Sequence, residues 1–305
     1  MPRSAIAPST IAIVLLACLC RSLPADEKST LATIAAEAVT LSSSDFKLPP
    51  NSQWREERIM SAPKFKLSID LGSGKTVKGT MSLLSRQLLD IDVVGEKDLR
   101  LKFVQSNSTS DIDIGENRNR HTTTLPLDGK TVLAERGEGG RWSSRLDGRR
   151  RPTSEEGTAL NALTHLWVEG IYPGRDLEIG ETWTVDAKDL KNLFGADFKR
   201  PTGEFEFTLA RVVEHEGQNC AKVTGRGKVT SQTKSLGNSA ADGTGETPLD
   251  ATMDIGIEIF HSLDLAMDLT LKMEGTLTLS NEKDAEALRY EASSPVKFTR
   301  TFRKR

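Results

Sequence analysis

Between Met253 and Leu279 the chain alternates, with nearly every odd position apolar. Ile255, Ile257, Ile259, Leu263, Leu265, Met267, Leu269, Leu271, Met273 and Leu277 hold odd positions between these ends, while Asp254, Glu258, Asp264, Asp268, Lys272 and Glu274 stand at even ones. A period of two is the mark of a β-strand with one buried and one wet face. One strand of this length would run about 90 Å at ~3.4 Å per residue, far beyond the roughly 3–10 residues usual for strands. The run therefore predicts two antiparallel strands turning near Ser262–Ala266.

The rest of the chain extends the β pattern. In residues 52–152, Phe65, Leu67, Ile69 and Leu71 alternate with polar residues, as do Leu89, Ile91 and Val93, and Leu99, Leu101 and Phe103. Turn chemistry separates them at Gly72-Ser73-Gly74 and Gly95-Glu96-Lys97. Residues 105–120 are polar and read as a long loop or ragged edge. One clear helix is expected near 153–169: Thr153 and Glu156 have capping-box spacing, and Leu160, Leu163 and Trp167 share a helical face. Gly170 and Pro173-Gly174 end this connecting segment, 153–174. Residues 175–305 form a second β-rich half, with a short helix about Ala187 to Phe194 and a polar loop at 233–249. The expected class is mainly β, an antiparallel meander in one or more sheets.

The first residues read as a targeting segment. Arg3 precedes an apolar run, Ile11 to Cys20, too short to span a bilayer stably, and cleavage after Leu23-Pro24-Ala25 would define a signal peptide of residues 1–25. Leu15-Leu16-Ala17-Cys18 also fits a lipobox, so an anchor on Cys18 is the alternative. Either reading places the protein outside the cytoplasm, and no other stretch resembles a transmembrane helix. Residues 26–51 read as a linker or short helix. With Cys18 and Cys20 in the leader, Cys220 is left alone, as a buried structural thiol. A net charge of −2 argues against nucleic-acid partners, and 5% aromatic residues against a sugar-binding surface.

Gly180-Glu181-Thr182-Trp183, with Pro173 upstream, resembles a vGdsW-like motif of secreted bacterial β-rich proteins of unknown function. The resemblance covers about residues 160–280. It implies an envelope or extracellular location and carries no catalytic residues. The expected architecture is also similar to the half-barrels of periplasmic lipoprotein carriers, which hold acyl chains against a concave sheet; this is analogy of fold alone.

Catalytic and metal signatures are missing from the sequence. Gly72-Ser73-Gly74-Lys75-Thr76 lacks the first glycine of a P-loop, because Ile69 stands there, and Asp111-Ile112-Asp113-Ile114-Gly115 lacks EF-hand spacing. His121, His165, His215 and His261 form no metal-ligand spacing, and Gly-x-Ser-x-Gly does not occur. No cofactor is expected. Two features remain as candidate sites. Arg141, Arg145, Arg149, Arg150 and Arg151 form a basic cluster able to dock an anionic envelope component. Met253, Met267, Leu269, Leu271 and Met273 form an apolar face that would either fill a core or hold an apolar or amphipathic ligand such as a lipid. The leading expectation is non-enzymatic binding. A structural or adhesive module, and a hydrolase with a site not legible in sequence, are the alternatives.

Overall fold

The computed structural model describes residues 38–42, 48–70, 76–114, 117–137, 141–164, 168–190, 193, 199–233, 249–280 and 289–305. The segment read as a signal peptide, Gly72-Ser73-Gly74, His165, Trp167, most of the loop expected at 233–249 and the turn expected at Asn281–Asp284 lie outside these residues.

Five strands lead away from the first half's centre: β2 (Gln53–Asp70), β3 (Thr76–Val93), β4 (Asp98–Ile114), β6 (Thr131–Arg136) and β7 (Trp142–Leu146). The strand β5 (Asn117–Thr124) shares the outer edge of β4 with β6. The second half runs β9 (Thr182–Asp186), β10 (Lys199–His215), β11 (Gln218–Thr233), β12 (Leu249–Ser262), β13 (Met267–Ser280) and β14 (Arg289–Lys304). Each is antiparallel to its neighbour, and β14 pairs with β2, so both halves form one 12-stranded sheet. The sheet is open. Its ends are the five-residue strands β7 and β9, short edges that offer little backbone for stray pairing. A separate pair, β1 (Val39–Thr40) with β8 (Asp176–Leu177), buries Leu41 and Leu177 against the main sheet.

The long alternating run folds as its periodicity predicts. β12 and β13 are joined by a turn over 263–266, with Ala266 at φ 48°. Other expectations need correction. Residues 105–114 are not a loop but the second half of β4, and 117–120 begin β5. The helix α1 (Ser154–Asn161) is shorter than 153–169, tightening into a 3-10 turn at Ala162–Thr164. Its capping box is present, since Thr153 Oγ1 accepts from Glu156 N–H and Glu156 Oε2 accepts from Thr153 N–H. Arg150 also grips the Glu156 carboxylate and, with the Thr153 N–H, holds its pKa down at about 2. Of the helix expected about Ala187 to Phe194, the described residues hold a 3-10 turn at Ala187–Asp189, and 191, 192 and 194 lie outside them. Within 26–51, the described part holds the two-residue β1 rather than a helix.

Directly opposed residues share a sheet face. One row can be followed across nine strands: Ser108, Ser85, Met60, Phe298, Met273, Ile257, Gly225, Phe207 and Trp183. This is the inner face, and its apolar residues from both halves meet in one buried cluster. A second cluster, around Trp54, Phe103, Trp142 and Phe302, buries the other end of the strands. Each cluster therefore draws on strands of both halves.

Glycines let neighbouring side chains pack closely on this face. The Phe205 ring lies over Gly227, and a Cβ there would stand 2.5 Å from Phe205 Cδ1 and 2.6 Å from Glu204 O. Neither the fully buried ring nor the backbone can retreat. Gly227→Ala is expected to destabilise by about 1–3 kcal/mol through overpacking, read from the urea midpoint. An unchanged midpoint would show that the ring is not held over the glycine.

Candidate ligand-binding site

The inner face is not uniformly apolar. The row next to the one above reads Ser106, Gln87, Arg58, Arg300, Leu271, Ile259, Val223 and Leu209. Every position from Leu271 onward is apolar and buried, while every position before it is polar. The change falls between Arg300 on β14 and Leu271 on β13, one strand from the β14–β2 seam where the two halves join. In both rows, residues near the seam are the less covered ones: Arg58, Gln87 and Phe298 are half-buried on a face otherwise largely closed.

A compact charge cluster marks this seam. Glu56, 2% exposed in its side chain, accepts from Arg300 Nε at 2.5 Å. Arg58 donates to both Glu56 oxygens, from Nε to Oε1 and from Nη2 to Oε2 at 3.1 Å. Burial alone would raise the Glu56 pKa, but the Arg300 and Arg58 charges prevail and hold it below the usual carboxylate range. Arg300 is buried and lies over the Phe302 ring, 5.0 Å from its centre. Arg58 remains 24% exposed.

Beside this cluster runs a stripe of hydroxyls. Ser106, Ser108 and Ser110 are only 1–2% exposed, and their Oγ atoms have no hydrogen-bond partner. Ser85, on the neighbouring strand, differs: its Oγ donates to Asn107 O at 3.2 Å. A buried polar group left unpaired costs about 1–3 kcal/mol, so three in line are an expensive feature for a core.

A different polar cluster sits where β12 meets β13. A bulge between Phe260 and His261 brings Asp268 opposite His261. Asp268 Oδ1 accepts from Tyr172 OH at 2.5 Å and contacts His261 Nδ1 at 2.8 Å, and the Tyr172 and His261 rings lie 4.5 Å apart. Burial first, then the Asp268 charge, raises the Tyr172 pKa well above its ordinary value. Cys220 nearby is pushed up to about 12 by burial, reinforced by Asp264 and Asp268, and stays a thiol. A His–carboxylate pair is thus present, as a hydrolase would need. Its carboxylate, however, is engaged by a buried phenol, and no serine or cysteine is bonded to the imidazole among the described residues. Physically it clamps the Ile171–Tyr172 segment to the sheet. Trp183 Nε1 fastens the same segment by donating to Ile171 O at 2.7 Å, while Gly180, at φ 90°, makes the turn before Trp183. The Gly180–Trp183 motif therefore has a role in the fold.

The structure separates the residues expected to act together. Met253, Leu271 and Met273 lie in the first buried cluster, while Met267 and Leu269, beyond the bulge, join Phe260, Cys220 and Phe302 in the second. All five are buried in packed clusters rather than displayed on a surface. In the basic cluster, Arg150 is committed to Glu156 at 2.6 Å, leaving Arg141, Arg145, Arg149 and Arg151 exposed around a loop. The even-phase acids do not form a metal site. Glu258 is paired with Lys222 at 2.6 Å and Lys272 at 3.1 Å, and Asp268 belongs to the clamp. No cluster of metal-ligating side chains occurs among the described residues. The outer face of β11–β13 carries a shallow groove of about 700 Å³ with Arg226, Lys228, Asp254 and Glu274 on its walls.

No helix among the described residues is long and apolar enough to cross a membrane. No protein-family model matches the chain, and no curated protein matches it. Among solved structures it is similar to one of lipid–protein interactions in lipovitellin, at 10% identity and a TM-score of 0.43, over 85% of this chain and 25% of that one. The chain thus spans a quarter of that lipovitellin chain. The binding domain of botulinum neurotoxin serotype C1 aligns over 83% of each chain, at 10% identity and a TM-score of 0.14. These likenesses carry no information on ligand or activity.

Proposed function

We propose that this protein binds an amphipathic molecule non-enzymatically along the inner face of its sheet. The observation that carries the reading is the polarity step within single rows of that face, from Ser106, Gln87 and Arg58 to Leu271, Ile259 and Val223. A core that only had to be filled gains nothing from such a step, because buried polar groups cost free energy that apolar ones do not. A molecule with one polar and one apolar end complements it. The half-buried Arg58, Gln87 and Phe298 provide a way in at the seam.

Native mass spectrometry of protein purified without detergent tests this. A stoichiometric adduct, extractable by organic solvent, is the expected result. A bare polypeptide mass, together with no binding of oleate or of the fluorescent hydrocarbon diphenylhexatriene, would overturn the reading. That outcome would favour a structural or adhesive module, the reading supported by the close packing of Met253, Leu271 and Met273.

A further inference from the structure

The three unpaired serines have a geometry of their own. They occupy every second position of β4, so their hydroxyls point to the inner face in a line about 14 Å long at ~3.4 Å per residue. Their neighbours on β3 and β2 grade along the line. Ser106 stands in the row of Gln87 and Arg58, Ser108 in that of Ser85 and Met60, and Ser110 in that of Leu83 and Ala62. Polarity therefore falls from the charged cluster toward Met81, Phe65 and Ile112, which lie next along the same strands in the buried core. A hydroxyl can donate to an oxygen acceptor, and the Arg58 guanidinium has five N–H donors, of which Glu56 takes only part.

The charge balance narrows the acceptor. Arg58 and Arg300 both face the single carboxylate of Glu56. Two cations against one carboxylate leave a single positive charge in surplus, too little for a phosphate dianion and enough for one carboxylate. The arrangement suits a carboxyl or ester group, whose oxygens accept hydrogen bonds while carrying at most one charge.

Building on the binding role proposed above, we infer that Ser106, Ser108 and Ser110, with Arg58 at their charged end, form the head-group subsite for an acyl lipid. Its carboxyl or ester oxygens accept from the serine hydroxyls. Its chain continues along the inner face past Ala62 and Leu83.

The test uses the full chain and three probes: oleate, monooleoylglycerol and diphenylhexatriene, which has no head group. In the variant Ser106→Ala/Ser108→Ala/Ser110→Ala, affinity for oleate and monooleoylglycerol is expected to fall at least tenfold, with diphenylhexatriene binding unchanged. The urea midpoint of the ligand-free variant is expected to hold or rise, because the removed hydroxyls have no protein partner. Arg58→Gln is expected to weaken oleate at least fivefold. If it spares monooleoylglycerol, Arg58 meets a carboxylate; if both weaken alike, it meets an ester carbonyl. Either result supports the subsite. Unchanged lipid affinity in both variants, with all three probes bound, would overturn the head-group subsite and leave the binding role standing. A fall in the midpoint of the serine variant would show that the protein itself uses these hydroxyls, and would overturn it too. Failure of the parent protein to bind any probe would overturn both.

Discussion

Glu56→Ala is expected to cost about 3–5 kcal/mol of folding stability, because it strands the buried Arg300 beside a second cation, Arg58. The loss comes from the charge left behind more than from the contact removed. Exchanging Glu56 and Arg300 together for Leu and Met tests that explanation. The pair then takes its desolvation cost with it, and the double variant is expected to unfold near the parent or above it. Urea unfolding of both variants at pH 7 makes the comparison. A Glu56→Ala loss below about 1 kcal/mol would mean that Arg300 is solvated in the folded protein.

The same cluster sets a direction for acid sensitivity. The folded-state pKa of Glu56 lies below its ordinary value, for although burial pushes it up, Arg300 and Arg58 pull it down further. Its contribution is therefore fully present above the unfolded-state value of about 4.3 and is lost as pH falls through the lower folded-state value. Stability measured between pH 5 and pH 3 should decline less steeply in the Glu56/Arg300 double variant than in the parent.

How much of this was legible in the sequence depended on where the strands bulge. Met253–Leu279 could be read residue by residue because its phase runs unbroken from Met253 to Ile259 and again from Leu271 to Leu279. In β4 the register shifts between the partners of Leu88 and Leu89. The inward positions change from Leu99, Leu101 and Phe103 to Ser106, Ser108, Ser110 and Ile112. A window spanning that shift sees no period of two, and the serines inside it look like a loop. Ser106, Ser108, Ser110, Ile112 and Ile114 do keep a common phase, which was the available signal. The partners of Glu56 were harder. Arg58 is two residues away on the same strand, but Arg300 comes from the far end of the chain, and only the β14–β2 pairing reveals it. Asp268 looked like a wet even-phase acid because the His261 bulge, which turns it toward Tyr172, leaves no local mark in composition.

That pairing also makes β14 the strand whose removal should do most damage. It lies at the centre of the sheet, between β2 and β13, although it is built from residues 289–305. Deleting these residues would bare edges of 18 and 14 residues at once, take Val296 and Phe302 out of the two cores, and leave Glu56 without Arg300. Each buried side chain of this kind is worth about 1.5–3 kcal/mol. Adding the lost backbone bonds, at about 0.5–1.5 kcal/mol each, the sum exceeds the roughly 5–15 kcal/mol by which domains are stable. The truncated chain is expected to be insoluble, since long unpaired edges template association. A peptide of residues 289–305, present during refolding, should restore soluble protein, because β14 is held through ladders on both sides. Soluble truncated protein that still unfolds cooperatively in urea would instead mean that the two halves fold independently, and that the seam carrying Glu56 and Arg58 forms only when they dock.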